Sequence, residues 1–285
     1  MREADLPCPE KHGSHRMHYT EWGDPDARAI VICVHGLTRS SRDFDVLADV
    51  LQTDLRVICP DVVGRGKSEW LRDPADYNYA QYCSDMTALI ARVTAGTARR
   101  PLFWVGTSMG GIIGMMIASS PGNPIERLVV NDVGMLVPKA ALERLASYVG
   151  RDPRFPSFEA LVAYVRTISA PFGPLTDEQW THLAQHTARR HTDGSWGFSY
   201  DPAIGIPFRK GSFEDIDLLE FWDRIACPTL VLRGAESDLL PREVALQMTG
   251  RGPRAKLVEF EGVGHAPMLM APEQIAVVRD FLLQR

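Results

Sequence analysis

No apolar run in the sequence approaches the roughly 18 residues that a membrane-spanning helix needs. No membrane partner is therefore expected. Charge of either sign is hardly in excess, since 36 acidic against 31 basic side chains leave −5 over 285 residues, which speaks against the basic face that nucleic-acid binding uses. Cysteine is sparse: Cys8, Cys33, Cys59, Cys83 and Cys227 are scattered without C-x-x-C spacing, so neither a disulfide frame nor a zinc site is expected. The three histidines His12, His15 and His18 crowd together without acid or thiol partners at metal-ligand spacing, and a solvated segment is the expectation there. The opening MREADLPCPEKHGSHRMHYTEWG has no apolar stretch of a secretory signal, which places the protein in the cytoplasm as an expectation. What the chain does have is 45% hydrophobic residues, enough for a sizeable core.

Short β-branched runs bounded by glycine or proline recur: AIVICVHG from Ala29, RVICPDVVG from Arg56, LFWVGTS from Leu102, RLVVND from Arg127, PTLVLRG from Pro228 and AKLVEFEG from Ala255. Helical patterns lie between them, for example from Tyr79 to Val93, Met109 to Ser119 and Pro272 to Leu283. Continuous apolar strands alternating with helices predict an α/β fold, a mostly parallel, doubly wound sheet covered on both faces. The alternation breaks over 134–215, which carries helical stretches but no strand of comparable quality. That segment has 82 of the 285 residues but 11 of the 24 aromatics. We read it as a helical cap inserted into a core of residues 1–133 and 216–285, above the strand ends where open α/β sheets bind ligands.

In FWVGTSMGG, from Phe103 to Gly111, an apolar strand runs directly through G-x-S-x-G into the helical pattern IIGMMIA. Such a sharp turn projects the Ser108 hydroxyl, with glycines on either side to relieve crowding, and the following helix aims its positive end at the same point. A serine needs a base, and the base needs an orienting acid. His265, in the glycine-rich loop EGVGHAPM between the last strand and the last helix, is the candidate base. Asp238, in RGAESDLLP, follows the strand TLVLRG and is the favoured acid; Asp132, in VVNDVG, is its competitor and would otherwise hold the cap hinge with Asn131. Glu236 reads as a solvated loop acid. The Met109 amide and the Leu37 amide, in HGLT, are the expected oxyanion-hole donors, with His35 as an organiser of that loop. Phe44, Trp104 and Met135 are candidates for an apolar acyl pocket, Trp104 being equally suited to the strand core.

Together VHGLTRSSRDF, DVVGRGKS, GTSMGG, the Asp238 loop and GVGHAP resemble the α/β-hydrolase superfamily, in its lidded branch of bacterial carboxylesterases, from about Met17 onward. GTSMGGIIGMMIA followed by IERLVVNDVG is similar to a subgroup that includes esterases of aliphatic polyesters and hydroxyalkanoate oligomers. The resemblance implies Ser108 as nucleophile, His265 as base, Asp238 as acid, the Leu37 and Met109 amides as oxyanion hole, and no cofactor or metal. It also implies that DVVGRGKS, from Asp61 to Ser68, shapes the rim of the site. Serine at position 108, where dehalogenases and epoxide hydrolases of the superfamily carry aspartate, speaks against both of those chemistries. Two alternatives stay open. One is a carbon–carbon bond hydrolase acting on a vinylogous diketone, for which the basic cap residues Arg144, Arg151, Arg154, Arg166, Arg189, Arg190, Arg209 and Lys210 would suit an anionic substrate. The other is a ligand receptor that retains the triad.

Overall fold

The computed structural model describes residues 1–11, 13–96, 99–209 and 213–284, so His12 and Lys210 lie outside the described residues. Strands β1 (Arg2–Glu10), β2 (Gly13–Trp22), β3 (Ile30–Val34), β4 (Arg56–Pro60), β5 (Leu102–Thr107) and β6 (Ile125–Asn131) come first. The short strands β7 (Leu136–Val137), β8 (Ala188–Arg190), β9 (Trp196–Phe198) and β10 (Ile216–Asp217) follow, then β11 (Thr229–Gly234) and β12 (Lys256–Phe260). Eight of them form one sheet in the order β1-β2-β4-β3-β5-β6-β11-β12. From β4 to β12 the neighbours are parallel, while β2 joins β4 and β1 joins β2 antiparallel.

The parallel part follows from the period-two geometry of a strand. Ile30, Ile32 and Val34 of β3 point into one core with Trp104 and Leu128, whereas Val31 and Cys33 point into the other with Val105 and Val129. The first core is covered by α2 (Tyr79–Thr94) and α3 (Met109–Ala118), and the second by α1 (Asp45–Leu51) and α9 (Pro272–Leu283). Trp104 is wholly buried strand core; its indole N–H donates to the Gly110 carbonyl at 3.0 Å.

The antiparallel edge is a departure from the sequence expectation. Strands β1 and β2 pair antiparallel, and His15 and His18 of β2 are buried, 3% and 5% exposed, instead of solvated. His15 Nε2 lies 3.1 Å from Asp85 on α2, and His18 Nδ1 lies 2.9 Å from Asp5 on β1. Pro7 and Pro9 are tolerated in β1 because an edge strand needs ladder hydrogen bonds on only one side.

Between β6 and β11 the described residues contribute no strand to the main sheet. It carries α4 (Lys139–Ala146), α5 (Phe158–Ile168) and α6 (Asp177–Thr187), two small two-stranded sheets, β7 with β10 and β8 with β9, and then α7 (Leu219–Arg224). Ser157 and Thr176 cap α5 and α6 with their side chains, Thr176 in a reciprocal capping box with Gln179. Many of the segment's aromatics pack on one another: Phe155, Tyr164 and Phe198 lie 5.0 to 6.1 Å apart, and Phe198 stacks on Tyr200 at 5.6 Å. Polar ties join the segment to the sheet domain, among them Tyr77 to Asp201 at 2.7 Å and the Arg144–Asp238 ion pair. Helix α8 (Arg242–Gly250) closes the connection from β11 to β12.

Candidate active site

Ser108 stands between β5 and α3 with φ 53° and ψ −115°, a conformation unfavourable for any residue with a Cβ. The surrounding sequence explains how the chain can hold it. A Cβ on Gly106 would collide with the Gly110 carbonyl, and one on Gly110 with the Val34 carbonyl, so the two flanking glycines let strand, turn and helix close on one another. The loop after β3 lies against Ser108 at Gly36, where a Cβ would be in ordinary contact with that of Ser108 at 3.7 Å. The Met109 N–H is the first of α3, one of those a helix leaves unpaired.

The structure brings His265 to Ser108. Its Nε2 is 3.0 Å from Ser108 Oγ, and its Nδ1 is 2.8 Å from Asp132 Oδ2. The acid assignment to Asp238 is thereby corrected. Asp238 forms an exposed ion pair with Arg144, at 2.5 and 3.1 Å, while the imidazole Nδ1 is taken by Asp132. Asp132 is fully buried and accepts from three donors: His265, the Ser237 hydroxyl at 2.6 Å and the Gly234 N–H at 2.8 Å. Such convergence offsets the cost of removing a carboxylate from water. The topology gives the reason. Ser108 follows β5 and His265 follows β12, and the strands between them are β6 and β11. Asp132 leaves β6 directly, with φ 55° and its N–H on the Leu232 carbonyl, so it sits in that gap. Asp238 lies four positions beyond the end of β11, past a turn closed by the Ser237 N–H on the Gly234 carbonyl. Neighbouring Asn131 also acts as a clamp, donating to Thr107 Oγ1 at 3.0 Å and to the Pro267 carbonyl of the histidine loop at 2.8 Å.

Two cavities meet at Ser108. The smaller, about 100 Å³, is lined by His265 together with Arg39, Arg144, Arg151, Tyr148 and Tyr164. The larger, about 410 Å³, is lined mostly by apolar and tyrosine side chains such as Tyr82, Ile112, Leu142, Phe208 and Ile216, with Asn78 and Glu214 also on its wall, and does not include His265. Leu37 borders both and Met109 the larger. Phe44 and Met135, expected to line an acyl pocket, line neither. Phe44 packs with Leu47 and Leu51 in the core on the sheet face opposite α3, and Met135 is buried with its carbonyl accepting from the Leu218 N–H. Their hydrophobicity matched a pocket and a core equally well; Val133 and Val137, on either side of Met135, line the larger cavity.

Sequence reasoning missed Arg65, which is wholly buried in DVVGRGKS. Among the described residues no carboxylate lies within ion-pair distance of it. It donates instead to the carbonyls of Leu37 at 2.8 Å and Val63 at 2.7 Å, and lies over the Tyr82 ring at 5.0 Å. The peptide that carries the expected oxyanion-hole residue is thus held by a buried guanidinium. Asp61 of the same motif accepts the Ser41 and Lys67 amides. His35 is fully buried, and burial pushes its imidazole below the usual range. The neutral ring donates from Nδ1 to the Gly36 carbonyl at 2.7 Å and accepts the Val62 N–H at 2.9 Å, fixing the loop that holds Leu37.

A serine on a strained strand-to-helix turn, an imidazole within reach and a buried carboxylate behind it, at the carboxyl edge of a mostly parallel sheet, define a hydrolase. A family model described as the alpha/beta hydrolase family matches residues 31–278, and the chain belongs to that family. It is similar to the 3-hydroxybutyrate-oligomer hydrolase of Cupriavidus necator, 46% identical over 282 residues that cover 96% of this chain and 95% of the relative. An esterase of Mycobacterium tuberculosis is 26% identical, with 97% of this chain and 90% of the relative covered. The crystal structure of an α/β hydrolase from Novosphingobium aromaticivorans superposes with a TM-score of 0.86 at 35% identity, covering 98% of both chains. Fold, family and esterase relatives make this chain a carboxylic ester hydrolase. No described helix is long and apolar enough to cross a membrane.

The alternatives of carbon–carbon bond cleavage and a receptor role are not favoured. Most of the cations of 134–215 that an anionic diketone would need are engaged elsewhere. Arg144 pairs with Asp238, Arg154 with Asp152 and Arg166 with Asp177, while Arg189 and Arg190 lie over the rings of Trp70 and Trp196.

Proposed function

We propose that the protein hydrolyses hydroxyalkanoate oligomers and other esters of short to medium acyl chains through an acyl-enzyme on Ser108, and that it works in the cytoplasm without a cofactor. The observation that carries the reading is the hydrogen-bonded line from Ser108 through His265 to Asp132, set where two cavities meet. The oligomer substrate is argued from the Cupriavidus necator relative together with an apolar cavity large enough for several acyl carbons. The cytoplasmic location is argued from five cysteines that are all free thiols.

In this mechanism His265 Nε2 takes the proton of Ser108 as Oγ attacks the ester carbonyl. The oxyanion is held by the amides of Leu37 and Met109. Collapse breaks the carbon–oxygen bond to the alcohol, which leaves with the proton from His265. Water, deprotonated by the same nitrogen, then releases the acid and restores the serine. Asp132 holds the Nδ1–H tautomer throughout. Residues 134–215 serve as a cap that walls both cavities against a core of 1–133 and 216–285. The test is a panel of esters of graded acyl length, including a polyester emulsion and p-nitrophenyl butyrate, on wild type and Ser108→Ala. Loss of about 10⁴-fold or more in kcat is expected, and a variant retaining wild-type rate overturns the reading.

A further inference from the structure

The two cavities differ in which catalytic group they contain, and that difference orients the substrate. Once the tetrahedral intermediate collapses, the departing oxygen must receive a proton from His265 Nε2, so the alcohol half of the ester has to lie on the imidazole side. Of the two, the 100 Å³ cavity is lined by His265, whereas the 410 Å³ cavity borders Ser108 and the Met109 residue of the expected oxyanion hole without His265. The leaving alcohol is therefore confined to the small chamber and the acyl half extends into the large apolar one.

The small chamber is also the one that carries cations, whereas the charged side chain on the wall of the larger one is an acid, Glu214. Of its three arginines, Arg39 is held in a two-point contact by Asp43, at 2.8 and 2.7 Å, and Arg144 is held by Asp238. Arg151 is exposed, and among the described residues no carboxylate lies within ion-pair distance of it; neighbouring Asp152 is taken by Arg154. The chamber that receives the alcohol thus has one uncompensated cation on its wall, beside the Tyr148 and Tyr164 rings. In an oligomer of a hydroxyacid, each alcohol half is itself a hydroxyacyl unit, and only the last one bears a free carboxylate.

Resting on the ester-hydrolase reading above, we propose that the protein cleaves hydroxyacid oligomers from their carboxylate end, with the terminal unit in the small chamber and its carboxylate at Arg151. Ser108 Oγ bonds to the carbonyl carbon of the penultimate unit while the bond from that carbon to the terminal unit's oxygen breaks. The terminal hydroxyacid departs with the proton from His265. The shortened chain stays on Ser108 until water releases it with a new carboxylate end.

The experiment uses a linear 3-hydroxybutyrate trimer carrying an isotope label in its carboxyl-terminal unit, as the free acid and as the methyl ester, counting only cleavage between units. The expected results are labelled monomer with unlabelled dimer as the first products, and kcat/KM about tenfold higher for the acid than for the ester, a size suited to one charge-assisted contact. Raising the ionic strength lowers that preference, as it must for an exposed cation. Arg151→Gln brings the acid-to-ester ratio close to one and Arg151→Lys retains part of it. Label in the first-formed dimer, equal rates for acid and ester in the wild type, or a ratio unmoved in Arg151→Gln would each overturn the proposal. The two wild-type comparisons need no variant to fold. If neither trimer is cleaved while p-nitrophenyl butyrate is, the oligomer substrate itself is wrong and the end rule falls with it, whereas undiminished activity of Ser108→Ala on p-nitrophenyl butyrate strikes the ester-hydrolase mechanism and, with it, the orientation argued from Ser108 and His265.

Discussion

The loop leaving β6 and the loop leaving β11 each bring an aspartate to the carboxyl edge of the sheet, and the two carboxylates live in opposite surroundings. Asp132 is wholly buried, with three donors on its oxygens, one of them the imidazole of His265. The Asp238 side chain is about half exposed, 51%, and its partner is an arginine of α4. The difference teaches that reaching the right edge of the sheet is not sufficient for an orienting acid. The side chain must also leave its strand at the angle that faces the gap between β5 and β12, and the loops around it must supply the remaining donors. Asp238 instead ties the intervening segment to the sheet domain.

The sharpest way to break this comparison is Asp132→Asn. The substituted amide can present its N–H₂ to His265 and favour the wrong tautomer, so kcat should fall on the order of 10⁴-fold. Steady-state kinetics on p-nitrophenyl butyrate, with circular dichroism to verify folding, measure it. A drop below tenfold would return Asp132 to a structural role. Next in size is Arg65→Met. Without the guanidinium the carbonyls of Leu37 and Val63 lose buried donors, and the Leu37 amide loses its fixed orientation. A fall in kcat of about 10- to 100-fold, less than removing an oxyanion donor outright, is expected, along with a loss of about 1–3 kcal/mol in urea unfolding.

A milder change, Ser237→Ala, probes the support of the buried carboxylate. Ser237 donates to Asp132 and accepts the Leu239 and Leu240 amides at 3.3 and 3.1 Å. Removing it should slow kcat about fivefold and cost about 1–2 kcal/mol of stability, read by kinetics and thermal melting on one preparation. If kcat were unchanged, the hydroxyl would serve the turn and not the acid.

How far the sequence carried each feature depends on whether the cause is local. Strand, turn and helix around Ser108 are set by residues 103–118 alone, and the parallel strands announce themselves by β-branched apolar runs. His265 was legible for the same reason, standing in a glycine-rich loop directly after a strand. The acid was not, because serine–acid–histidine order is satisfied by Asp132 and Asp238 alike and both follow strands that lie between β5 and β12; what separates them is how each leaves its strand, Asp132 directly and Asp238 past a turn. One local trace did exist: Asp132 adopts positive φ, and Asn-Asp at a strand end is a pair that tolerates such a conformation. Arg65 was illegible because a buried arginine satisfied by carbonyls and tyrosines shows no charge partner in sequence. Phe44 and Met135 failed as pocket residues because burial and pocket lining draw on the same side-chain chemistry.

The smallest effect belongs to Asp238→Asn, and its smallness is what completes the comparison. The substitution keeps the shape and removes the charge that holds Arg144. An ion pair this exposed contributes at most about 1 kcal/mol, screened further by salt, so stability should move by less than that and kcat/KM for p-nitrophenyl butyrate by less than about threefold. The freed Arg144 stays on the wall of the small chamber, where a second uncompensated cation would favour an anionic leaving unit. The acid-over-ester preference on the hydroxybutyrate trimer should accordingly rise about twofold in low salt, well below the effect of a full charge-assisted contact. Kinetics at low and high ionic strength read both effects. A loss in kcat approaching that of Asp132→Asn would mean that Asp238 reaches His265 in the working enzyme after all.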